Sequence, residues 1–527
     1  MTTSENLVPI ATAAIAMAFG ALLVIYREDP VFCRGNTRQK KLHRVGGAIP
    51  FLGDAITATS NLDRFWDFML ETFLKTNNEP FILKLPMSPA VIVTNDPKCL
   101  ECVLKTEFSV FDKGPRFQHV FHDFLGHGIF NVDGDEWKSQ RKLAANIFNV
   151  KNFKNYVRDV FSSEMESFCK ILDLRAETSQ EFDLQELFFR FTFDSFTRIG
   201  FGVEVNTMSA DGPVAFMTAF DAIQTRCAKR MMTAAWWGIT EYWSGQSRVH
   251  DEQIKLIREF GKSIIGRKRD SGMTSTEFLS ANDLLSLLMV VKDEKGNNPT
   301  DDTLVEYVLN FLLAGKLSIS SSNKSPAHES SLGRDTTACA LSWAVYLLHK
   351  NPDTHAKLLQ EIATILNAST PTYEHIRNKM PYANAVFHET LRLYPSVPSN
   401  MKEANKDVTL PDGTFVPKGC CVSWSPYVMG RTEAIWGPDA REFKPERWLT
   451  MEKQPSPFDY PAFQAGPRVC LGKSMAELEG VYVLVELNRR FKIEVVNEND
   501  IQYAFSILIP MKNGLKVKCT PRDWTGQ

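Results

Sequence analysis

Residues 463–472 read FQAGPRVCLG and run directly into Lys473 to Leu487, a segment of good helix formers with helical apolar spacing. This ten-residue stretch restricts the fold more than any other part of the chain. Gly466 permits a tight turn, and Gly472 lets the backbone come close to a neighbouring group. The thiol of Cys470 would stand at the N-terminal end of the following helix, where the dipole and an electropositive setting favour a thiolate. Phe463 can shield the sulfur from water, and Arg468 can make charge-assisted hydrogen bonds to an anion. The plain alternative is a structural cysteine beside a turn.

A second constraint lies at the start. Val8 to Tyr26 is an uncharged run of 19 residues, long enough to cross a bilayer as a helix. Only Glu5 is charged before it, while Arg27, Arg34, Arg38, Lys40, Lys41 and Arg44 follow. That asymmetry predicts a retained anchor with the body of the chain on the cytosolic side, and the missing basic n-region argues against a cleaved signal. The expected organisation is an anchor over 1–27, a linker over 28–58 punctuated by Gly46, Gly47, Pro50 and Gly53, and one large catalytic domain over 59–527.

The domain reads as mainly α with a minor β region. Leu184 to Ile199 and Leu304 to Leu313 show helical spacing, whereas Phe81–Leu85, Ala90–Thr94, Phe415–Val416 and Leu515–Val517 are short strand-like pieces. Apolar residues at 44% supply a sizeable core, and a formal net charge of -2 gives no global pull towards nucleic acid. Ten cysteines include a single CxxC, Cys99–Cys102, too little for a zinc or redox site. His119, His122 and His127 cluster without metal-ligand spacing and read as polar loop residues.

One segment conflicts with its surroundings. Residues 316–333 read KLSISSSNKSPAHESSLG, with seven serines among 18 residues, between the helical patterns VEYVLNFLLAG and RDTTACALSWAVYLL. Pro326 forbids an ordinary helix interior there. Deleting the 18 residues in frame restores NFLLAGRDTTACALSW, and degenerate codons for Gly-Lys and Leu-Gly can carry GTAAG and TAG. The segment is therefore expected to be a retained intron.

FQAGPRVCLG matches the cysteine pattern of the cytochrome P450 family, and three further segments appear in that family's order. HETLRLYP sets Glu389 and Arg392 three residues apart on one helix face, FKPERW supplies Arg447, and DEWKSQRK places Trp137 and Arg141 one turn apart. Taken alone, Glu389–Arg392 is a common surface pair and Trp137 an ordinary core residue. The chain resembles that family most closely in its eukaryotic fatty-acid omega-hydroxylase group, through LGHGIFNVDGDEWKSQRK and SILIPMKNGLKVK.

The resemblance implies the cytochrome P450 fold and haem b bound with Cys470 as the axial iron ligand. Phe463, Gly466, Arg468 and Gly472 would surround the haem, and Arg468, Trp137 and Arg141 would face its propionates. Glu389, Arg392 and Arg447 would form a structural network. Asp335 and Thr336 would supply protons to dioxygen in a C–H hydroxylation; with the insert in place, Asp-Thr also reads as a helix cap. Phe117, Phe121, Phe124, Leu125, Ala314, Phe505, Ile507 and Leu508 would line a channel for a lipophilic substrate, or else fill the core.

Electrons would come from NADPH through a separate NADPH–cytochrome reductase, docked on Lys138, Lys142 and Lys473 or leaving them as plain surface. The location implied is the endoplasmic reticulum membrane. Two alternatives stay open: a haem-thiolate peroxide isomerase or dehydratase, against which Asp335–Thr336 argues, and a haem-binding protein made inactive by the insert.

Overall fold

Helices with apolar residues three and four apart must bury that stripe, and here the long helices bury it on one another. The computed structural model describes residues 15–18, 20, 42–45, 53–86, 88–148, 153–210, 212–233, 237–271, 283–290, 298–315, 336–366 and 369–523. The longer helices are α1 (Phe65–Lys75), α2 (Pro115–Leu125), α3 (Gly134–Phe148), α4 (Phe153–Thr178), α5 (Leu184–Phe201) and α6 (Ala215–Met232). They continue with α7 (Gln246–Asp270), α8 (Asp301–Gly315), α9 (Thr336–Lys350), α10 (Pro352–Leu366), α11 (Pro381–Leu393) and α12 (Lys473–Arg490). The chain is mainly helical with a minor sheet region.

The centre is α9, which packs against α5, α11 and α12. Its residues Thr337 to Val345 are all buried, the mark of a helix apolar on every side. Facing it, α5 contributes Phe188, Phe189, Phe191 and Phe193, all at most 1% exposed. At roughly 2 kcal/mol for each large side chain, such burial dominates the stabilisation of this layer. Asp183 caps α5 by accepting the Glu186 N–H at 3.2 Å, and Gly202 ends it in the left-handed region.

The strands are β1 (His43–Arg44), β2 (Phe81–Leu83), β3 (Val91–Val93), β4 (Phe111–Asp112), β5 (Phe182–Asp183) and β6 (Asn400–Ala404). The remainder are β7 (Val408–Thr409), β8 (Phe415–Val416), β9 (Cys421–Trp424), β10 (Phe491–Val495) and β11 (Lys516–Pro521). The main sheet runs β1-β2-β3-β9-β6-β4, with β1–β2 and β3–β9 parallel and the other pairs antiparallel. Two residues of the expected linker, His43 and Arg44, are thus paired to Phe81 and Ile82. A two-residue strand is too short to display an alternating pattern, which is why it reads as linker in sequence.

Among the described residues no helix is long and apolar enough to cross a membrane. Most of the run Val8–Tyr26, the hinge residues Gly46, Gly47 and Pro50, and the serine-rich segment 316–333 lie outside the described residues.

Candidate active site

The cysteine loop is shaped by two glycines and a helix start. Gly466 has φ +65°, and a Cβ there would collide with the Leu104 carbonyl, so the turn needs glycine. The loop closes when Val469 N–H donates to Gly466 O at 3.1 Å and Cys470 N–H donates to Phe463 O at 2.9 Å. Gln464 also takes a left-handed conformation, φ +62°, with its Nε2 donating to Asn400 Oδ1 at 2.6 Å. Gly472 is the N-cap of α12 and has no side chain to cap it. The N–H groups of Gly472 and Lys473 favour the charged form of the Cys470 sulfur instead.

That geometry sets the thiol apart. Among the nine described cysteines eight are buried, and Cys470 alone is exposed. Crowding by the surrounding protein pushes its thiol up, while the Gly472 and Lys473 N–H groups and the Arg141 guanidinium pull it back towards thiolate. Phe463 packs beside the loop with Lys473 Nζ 5.7 Å from its ring centre. Arg141, on α3, donates to the Val469 carbonyl, so it ties α3 to the loop.

Arg468 sits in a cluster of cations. Its Nη2 donates to Asp133 Oδ1 at 2.6 Å and to Val132 O at 3.1 Å, and its guanidinium lies 4.3 Å from the Trp137 ring centre. No sequence motif assigns a role to Asp133 or to two cationic neighbours. Lys113 lies between β4 and α2, and Lys402 is on β6, 4% exposed. The only signal for Lys402 was a lysine at an inward-facing position of a strand. Buried Arg468 Nε and Lys402 Nζ have no hydrogen-bond partner among the described residues.

Behind the loop, Glu389, Arg392 and Arg447 come together. Glu389 accepts Arg392 Nε and Nη2, each at 2.7 Å, and Arg447 Nε at 3.0 Å, with all three residues buried. The Trp448 indole N–H donates to Glu389 at 2.9 Å and the Lys444 backbone N–H at 2.8 Å, two further members that spacing did not reveal. Arg392 spends its remaining donors on the Gly430, Ala440 and Glu442 carbonyls. A fully satisfied buried network of this kind holds one geometry. His388, next to Glu389, is held down to about 4 by burial and then by the Lys473 charge.

On the other side, α8 ends at Gly315, with Ala314 on its last turn, and α9 begins at Thr336. Asp335 lies outside the described residues. Ser396 joins Thr336 to the C-terminal hairpin: its hydroxyl donates to Thr336 O, and its carbonyl accepts Ile509 N–H at 3.1 Å. Trp343 Nε1 donates to Ile509 O at 2.7 Å. These bonds set Ile507 and Leu508 close to the start of α9.

The candidate channel residues divide. Phe117 and Phe121 stack at 4.4 Å on α2. Phe124 packs edge-on against Phe220 of α6 at 4.7 Å, and it and Leu125 are 1% exposed. Phe505 lies against Phe65 and Trp66 of α1 at 5.5 and 5.7 Å. Leu508 is buried and Ile507 partly so.

Comparison with known proteins gives a consistent picture. The sequence model of the family described as Cytochrome P450 matches residues 45–324 and 332–516, with the interruption inside the serine-rich segment. Cytochrome P450 704C1 of Pinus taeda is 34% identical over 498 residues, covering 90% of this chain and 92% of its own length. Cytochrome P450 86B1 of Arabidopsis thaliana is 35% identical over 82% of this chain and 77% of its own. Cytochrome P450 94A1 of Vicia sativa is 31% identical, covering 90% of each.

Proposed function

The chain belongs to the cytochrome P450 family and is a monooxygenase, and on that premise we propose that it holds haem b through Cys470 and hydroxylates a fatty acid. The observation that carries this reading is Cys470, the one exposed cysteine among the described residues, set just before the N-terminus of α12, where the Gly472 and Lys473 N–H groups favour its charged form.

Haem b brings one iron and two carboxylates, and the residues present suit both. Cys470 offers a sulfur ligand. Lys113, Arg141, Lys402 and Arg468 outnumber the carboxylates of Asp112 and Asp133 around them, and two of the buried cations have unsatisfied donors. Bound there, haem supplies dioxygen activation and the oxidation of an unactivated C–H bond.

The chain supplies the rest. The Gly472 and Lys473 N–H groups and Arg141 offset part of the burial that favours the neutral Cys470 thiol, and Phe463 would shield the sulfur from water once haem covers it. Trp137, Arg141 and Arg468 orient the carboxylates. The Thr336 hydroxyl, with Asp335 beside it in sequence, holds and passes protons at the oxygen side. Phe117, Phe121, Ala314, Ile507 and Leu508 would take an apolar chain, whereas Phe124 packs on Phe220, Leu125 is fully buried, and Phe505 packs on Phe65 and Trp66.

Electrons come from NADPH through a membrane reductase, docked over Lys138, Lys142 and Lys473. Residues 1–27 anchor the chain in the endoplasmic reticulum membrane, 28–58 link it, and 59–527 form the catalytic domain facing the cytosol. Residues 316–333 are a retained intron; a mature transcript that keeps those 54 nucleotides throughout would sink this point.

A second reading has one observation behind it. The family match breaks at 325–331, between α8 and α9, so the chain with the segment retained binds haem yet turns over slowly.

The test is a carbon monoxide difference spectrum of the reduced protein, followed by a fatty-acid panel with NADPH and reductase. A band near about 450 nm that disappears in Cys470→Ala supports the reading, and a band only near roughly 420 nm contradicts it.

A further inference from the structure

Lys402 is a buried cation to which the described residues provide no hydrogen bond. It stands on β6, 4% exposed. Four groups act on it: Asp112 from β4, Lys113 from the loop after β4, Asp133 from the turn before α3, and Arg468 from the cysteine loop. Both nearby carboxylates are engaged elsewhere. Asp133 Oδ1 lies 3.9 Å from Lys402 Nζ but accepts Arg468 at 2.6 Å, and its Oδ2 accepts Lys113 N–H at 2.9 Å and Gln118 Nε2 at 3.2 Å. Asp112 Oδ2 accepts Asn405 Nδ2 at 2.8 Å. Three cations therefore share two carboxylates: Arg468 takes the short ion pair to Asp133, Lys113 reaches Asp133 through its backbone N–H with its Nζ over the Phe117 ring, and Lys402 Nζ stands 3.9 Å from Asp133 Oδ1.

We propose that Lys402 is neutral in the chain without haem and takes up a proton from solvent when a haem carboxylate seats beside it, so that haem retention is coupled to pH. The inference rests on the haem reading above. Burial first, then the like charges of Lys113 and Arg468, hold Lys402 down to about 6. A carboxylate placed alongside stabilises the charged form and raises that value. The sign follows from linkage. The gain from the new ion pair is complete below about pH 6 and declines as pH rises, by about tenfold in affinity per pH unit, until the raised value is reached.

The experiment equilibrates the holoprotein with an apo-globin haem acceptor between pH 6 and 9 and reads the partition from the Soret bands. Lys402→Arg, which stays charged throughout, cancels the acceptor's own pH dependence. The proposal expects haem retention by the parent protein, relative to Lys402→Arg, to fall about tenfold per pH unit from pH 6 upward. A ratio flat across the range overturns it. Lys402→Met gives a second reading: its deficit relative to the parent narrows as pH rises, and a constant deficit overturns the proposal. If the parent shows no Soret band, the haem reading itself fails; a Soret band with flat ratios fails this inference alone.

Discussion

The sulfur side and the oxygen side of the candidate site are built in different ways. On the sulfur side every fixed position is over-determined. Gly466 is forced by the Leu104 carbonyl, Cys470 is held by Phe463 O and two helix N–H groups, and Glu389 is bonded from five directions. On the oxygen side, Ser396 and Trp343 fix α9 from its first residue onward. Between α8 and α9, however, stand the serine-rich residues, whose composition contradicts the helices flanking them. On the proposed reading the two sides can therefore fail separately: iron ligation would depend on the first, and proton supply on both helices meeting correctly.

The hardest blow to the sulfur side is Arg392→Ala. It leaves Glu389 buried with its main partner gone, which costs about 3–5 kcal/mol. Denaturant unfolding should show that loss together with a failure to retain haem, and Arg392→Lys should recover little because the guanidinium fork is needed. A smaller effect is expected from Gly466→Ala. A side chain at positive φ against a backbone carbonyl forces the loop open, costing roughly 2 kcal/mol and shifting the carbon monoxide band before it melts the fold.

The smallest effect is pH-dependent. His388 is held down to about 4 in the folded chain against an ordinary value of 6.5. The unfolded chain binds the extra proton between those values, so stability falls as pH drops below about 6.5. Going from pH 7 to 5 should remove about 1–2 kcal/mol through this group. His388→Phe, which keeps a ring against Trp448, should flatten the profile by that amount; an unchanged profile would show that His388 is not the titrating group.

Much of this contrast is legible in sequence. The three-residue spacing of Glu389 and Arg392, the helical period of Leu184 to Ile199 and Leu304 to Leu313, and the glycines around Cys470 all depend on local geometry, which short-range patterns report. Lys113, Asp133 and Lys402 depend on tertiary packing. They come from a loop, a turn and a strand far apart in the chain, and nothing periodic links them. Trp448 was visible beside Arg447, yet its indole bond to Glu389 needs the fold to bring residues 389 and 448 together. Phe124 and Leu125 share the α2 helix with Phe117 and Phe121, but the spacing does not show which of the four pack under α6.

The most direct test measures product formed per NADPH consumed, with reductase and fatty acid, for the full chain and for the chain lacking residues 316–333. Both forms are first matched by their carbon monoxide band. The account predicts equal bands near about 450 nm and a coupling ratio at least several-fold higher in the shortened chain. Equal coupling in the two forms, or a band lost from the full chain alone, would contradict it.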